Sequence, residues 1–166
     1  MVQELIVKLT EEYEKQIKLY QSMQEAAKVQ MILCTEADFK EEGNIKKLTR
    51  LLFKKQEQME KIEESQSKTN TIKDSLQKEL GVSEINGPTL ASLYPHPETE
   101  KLQKILARLN SLLTKITALD TTSQKALQDK LCLVKDDLQK IQKGKQAKKA
   151  YKPVKKQPEG FFFDQK

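Results

Sequence analysis

From Val2 to Asp38 the chain places a residue of the same kind every seven positions. Ile6, Tyr13, Tyr20, Ala27 and Cys34 form one register, and Val2, Leu9, Met23 and Ala37 form the interleaved one, with Gln16 and Gln30 as its polar lapses. A seam of that period suits a helix laid lengthwise along another helix, and little else. Ile17, Met31 and Ile32 widen it. The breakers that follow then decide how many such helices there are.

Glu41-Glu42-Gly43-Asn44 interrupts the first block as a glycine closing one helix and an asparagine capping the next would. So short a connection makes the two helices antiparallel. The second block repeats the seam through Ile45, Leu48, Leu52, Met59, Ile62, Thr69, Leu76 and Leu80, and its apolar-poor middle, Glu63 to Asn70, is expected to project past its neighbours or pack loosely. Gly81 ends it. Gly87-Pro88 and Pro95-His96-Pro97 break the chain again, so residues 81–97 are expected to be irregular. The third block carries Leu102, Ile105, Leu109, Leu112, Ile116, Leu119, Leu127, Leu131, Val134, Leu138 and Ile141. Asp120-Thr121-Thr122-Ser123 is the one place where it could bend, and Gly144 with the lysine run ends the pattern.

The reading is all-α: an elongated antiparallel helical hairpin plus a third long helix, together a three-helix bundle. One helical domain covers 1–142, with helices at about 2–41, 44–80 and 98–142. Residues 143–166 form an extended, flexible basic tail in which Pro153 and Pro158 exclude a helix.

Charge divides along the same line. Residues 1–134 hold twenty basic and twenty acidic side chains, whereas 135–166 hold ten lysines against four acids, so the whole net charge of +6 belongs to the tail. Without arginine, such a tail is poorly equipped for specific base or phosphate reading, and nucleic acid is an unfavoured partner. No stretch approaches the roughly 18 apolar residues of a membrane span, and the acids of the first 15 residues do not suit a signal peptide, which points to a cytoplasmic chain. Cys34 and Cys132 fall at apolar helical positions and read as buried, reduced thiols. His96, the single histidine, has no ligand cluster at metal spacing and reads as loop punctuation. No glycine-rich phosphate loop, nucleophile–histidine pair or functional acid pair appears. The expectation is no enzyme, no cofactor, no metal and no catalytic residue, only a scaffold made for protein contact.

The segment GNIKKLTRLLFKKQEQMEKIE is similar to the turn and second helix of the FlgN-type flagellar export chaperones. The sharper resemblance is ITALDTTSQKALQDKLCLVKDDLQKI, followed by Ala150-Tyr151, a basic linker and Phe163-Asp164-Gln165-Lys166. Leu119-Asp120, Ser123-Gln124 and Leu127 occupy that family's third-helix pattern; Asp120 and Ser123 stand where asparagines are usual, and the final alanine is missing. The resemblance implies a cytoplasmic chaperone that holds helical C-terminal segments of hook–filament junction proteins and delivers them to the flagellar type III export gate.

Leu127, Leu131, Val134, Leu138 and Ile141 have the spacing that anchors a partner helix, and the same stripe reads equally as third-helix core. Tyr151 and the consecutive Phe161, Phe162 and Phe163 are then either a cover for that stripe or part of the client or gate contact. Two other classes stay open: a self-associating coiled-coil scaffold, which would be a homo-oligomer, and a nonspecific nucleic-acid or membrane-surface binder using the lysine tail.

Overall fold

The computed structural model describes residues 1–151, and the described chain is helical, without strands. The elements are α1 (Val2–Glu36), α2 (Glu42–Leu80), α3 (Gly87–Leu93) and α4 (Pro97–Ala150). Two units are distinguished, Met1–Leu127 and Gln128–Lys166; the first holds α1 to α3 and the N-terminal part of α4.

In α1 the heptad seam is the buried face. Ile6, Leu9, Tyr13, Tyr20, Met23, Ala27 and Cys34 are buried, and so are both polar lapses, Gln16 and Gln30. Ile17 joins them, but Ile32 is half exposed and does not widen the seam. The helix stops at Glu36, short of the expected boundary near 41, because Asp38 turns the chain: its Oδ1 accepts the Lys40 N–H at 2.9 Å. Gly43 and Asn44 accordingly lie inside the first turn of α2, where Asn44 Nδ2 still donates to the Asp38 carbonyl at 2.9 Å.

The buried positions of α2 are Lys55, Gln58, Ile62, Ser65 and Thr69, a three–four alternation dominated by polar residues, and Leu76 seven residues further on. Ile45, Leu52 and Met59, expected in the seam, lie one register over and are about half exposed. The seam accepts polar residues because α1 supplies their partners. Gln16 Nε2 donates to Ser65 Oγ at 3.2 Å, Ser65 Oγ donates to Glu12 Oε2 at 3.2 Å, and Gln58 Nε2 donates to Ser22 Oγ. These bonds run antiparallel along the hairpin and fix its register, since a slip would leave each group buried and unpaired. The middle of α2 therefore packs, contrary to expectation.

Gly81 closes α2 in the left-handed conformation, φ 65°, and the Val82 N–H reaches the Gln77 carbonyl at 3.1 Å. The connection that follows is not wholly irregular. Asn86 caps α3 by accepting the Thr89 N–H at 2.8 Å, and Pro88 sits in the first turn, where its missing N–H costs nothing. Leu90 on α3 is fully buried and joins one apolar cluster with Leu9, Tyr13, Leu76, Leu102, Leu109, Leu112 and Ile116. Each such side chain contributes about 1.5–3 kcal/mol of burial. His96 stacks on Tyr94 with ring centroids 5.4 Å apart, and its Nδ1 accepts the Glu98 N–H where α4 begins.

α4 does not break at Asp120–Ser123. The Thr121, Thr122 and Ser123 hydroxyls donate to carbonyls one turn back at 2.8, 3.0 and 2.9 Å, which satisfies the polar run within the helix itself. Nor does it end near 142. Good helix formers around Gly144 outweigh the roughly 1 kcal/mol that one interior glycine costs, and the helix continues to Ala150.

Candidate protein-docking surface

Two groups of residues on α4 carry the functional question. The first is in the unit that ends at Leu127. Asp120 Oδ1 lies 2.5 Å from the ammonium of Lys55, which also donates to Gln30 Oε1 at 3.0 Å. One buried cation thus ties α1, α2 and α4 together. Ser123, one turn further on, is fully buried, and Leu127 is half-buried. Of the positions that stood out in the third-helix pattern, Asp120 pairs with the hairpin, and Ser123 is buried with its hydroxyl bonded within α4.

The second group belongs to the unit that begins at Gln128. Every residue from Leu131 to Tyr151 is exposed. Within that run Leu131, Val134, Leu138 and Ile141, spaced three, four and three residues apart, occupy one side of the helix at 49–53% exposure. Half-exposed apolar side chains in an unbroken row are costly in water. Their spacing is the one at which side chains on a helix can engage another helix.

Four of the five stripe residues are therefore brought together, while Leu127 belongs to the preceding unit. Tyr151 is exposed at the helix end. Phe161, Phe162 and Phe163 lie outside the described residues. Cys132, expected to be buried, is exposed, as is Leu133; both point away from the stripe by their position on the helix. The first part of the lysine-rich segment, 143–150, is an exposed helical surface and not an extended tail. No helix among the described residues is long and apolar enough to cross a membrane.

A family profile described as FlgN protein matches residues 1–159. The chain belongs to the FlgN family. Membership covers all four helices and both groups on α4, and it makes the chain a chaperone of the flagellar export type, in a family of binding proteins and not enzymes. No curated protein and no solved structure matches the chain.

Within this FlgN-family chain the remaining charged groups are ordinary surface pairs. The Lys15 ammonium, with help from Ser65, holds the Glu12 carboxyl below its usual value, and Glu14 raises Lys101. Tyr20 differs, because burial pushes its hydroxyl up. None of these groups borders the exposed stripe, whose contribution is apolar.

Proposed function

We propose that this chain holds helical C-terminal segments of hook–filament junction proteins on the Leu131–Val134–Leu138–Ile141 stripe and delivers them to the flagellar export gate. Family membership supports the chaperone role. The observation that carries the site is the row of four half-exposed apolar side chains on a helix whose every residue from 131 onward faces solvent. Tyr151 and the Phe161–Phe163 cluster add apolar contact beyond the helix end. The lysines between them attract an acidic partner surface.

The test is Leu131→Asp and Leu138→Asp, each assayed by circular dichroism and by calorimetric titration with a C-terminal helical segment of a hook–filament junction protein. A carboxylate buried in the groove without a partner costs about 2 kcal/mol or more, roughly a thirtyfold loss of affinity. The expected outcome is unchanged helicity with binding weakened at least that far. Loss of helicity with aggregation would mean that the stripe is core.

A further inference from the structure

The outer face of α2, directed away from its polar seam, has no role in the client-binding reading. Its charges are sorted into two blocks. Between Asn44 and Gln56 there are five basic residues and no acid, although the body of the chain is otherwise balanced. One of the five, Lys55, is consumed by Asp120, which leaves four facing solvent. The next eight residues, Glu57 to Glu64, carry four acids against the single Lys61. Within the basic block, one turn before the acidic block begins, sits Phe53, 68% exposed, and the flank of the helix carries the half-exposed Ile45, Leu52 and Met59 at seven-residue intervals.

We infer that this face is a homodimer interface, closed by the same helix of a second copy running antiparallel about a dyad near residue 55. That arrangement alone lays each basic block on the other copy's acidic block. Lys46 then lies opposite the second copy's Glu64, and Arg50 opposite its Glu60, while each Phe53 lies about half a turn from the dyad, opposite the second copy's Glu57. A parallel pairing would stack like charge on like. The apolar edge meets its own counterpart across the same dyad, and a face of this kind is self-complementary, as a two-fold interface requires. Lys46 and Glu64 have neighbours within their own helix, Glu42 at 3.0 Å and Lys68 at 2.7 Å. Those pairs are solvent-exposed and readily exchanged, so they do not commit the charges elsewhere. Because the attraction is between exposed groups, the dimer is weak and salt-sensitive.

Sedimentation velocity of the full chain tests this without any client. The expected result is a monomer–dimer equilibrium in the micromolar range at low salt that shifts at least tenfold toward monomer at about 0.5 M salt. The double variants Lys46→Glu/Arg50→Glu and Glu60→Lys/Glu64→Lys each set like charges opposite one another at both pairs across the dyad and should be monomeric with parental helicity. An equimolar mixture of the two should dimerise again. Phe53→Asp should also shift the equilibrium toward monomer. A parent that stays monomeric throughout, double variants that dimerise like the parent, or a mixture that fails to associate would each overturn the inference.

Discussion

Lys55 is the place where the packing of α4 on the hairpin can be tested by stability alone. Its side chain is 11% exposed and holds Asp120 of α4 at 2.5 Å and Gln30 of α1 at 3.0 Å. Asp120→Ala leaves an ammonium in that site with only a neutral amide for company. Removing one partner of a fully buried pair costs about 3–5 kcal/mol, but the Asp120 side chain is 34% exposed. Solvent screening therefore brings the expectation down to roughly 1–3 kcal/mol. Lys55→Met should behave oppositely. It keeps most of the volume, removes the charge that had to be desolvated, and leaves Asp120 partly solvated, so its effect should lie within about 1 kcal/mol of the parent. Urea unfolding followed by far-ultraviolet circular dichroism, with the double variant closing the cycle, measures all three. If Lys55→Met is as damaging as Asp120→Ala, the lysine contributes through its attraction and not through a desolvated charge, and the reasoning fails.

Gly81→Ala should destabilise the hairpin by about 1 kcal/mol in the same assay; nothing lies within 4 Å of the added methyl, so the cost is that of the left-handed backbone alone. Alkaline unfolding should report Tyr20. Its folded-state value lies above the ordinary 10.0 because of burial, so its stabilising share is intact below about pH 10 and lost as pH rises through the folded value, and Tyr20→Phe should flatten that limb of the stability curve. Deleting residues 159–166 should leave the melting temperature unchanged while weakening client binding in calorimetry; a fall in melting temperature instead would mean that the Phe cluster docks on its own chain.

The first helix was legible in the sequence almost residue by residue, down to the buried Gln16 and Gln30, because apolar side chains mark enough of its seven-residue period. The second was not. Its seam runs through Lys55, Gln58 and Ser65, whose burial depends on partners that only the folded chain supplies, so the apolar Ile45, Leu52 and Met59 gave a misleading register. The same register error concealed the outer face of α2. Pro88 likewise argued against a helix that it in fact helps to start, once Asn86 provides the cap. In α4 the spacing of the Leu131–Ile141 stripe was readable, but whether it was core or surface was not, since both choices use the same periodicity. Only exposure separates them. Gly144 gave a false stop for a related reason: one glycine weakens a helix without ending it when its neighbours favour helix.

Hydrogen–deuterium exchange on the full chain, with and without a C-terminal helical segment of a hook–filament junction protein, bears most directly on the central claim. The backbone amides of residues 128–151 are already in a helix, but one exposed along its whole length from Leu131, and such a helix opens readily. The client is expected to slow exchange there first and most, with α1 and α2 little changed. Protection confined to the hairpin, or no protection in α4 at saturating client, would contradict it.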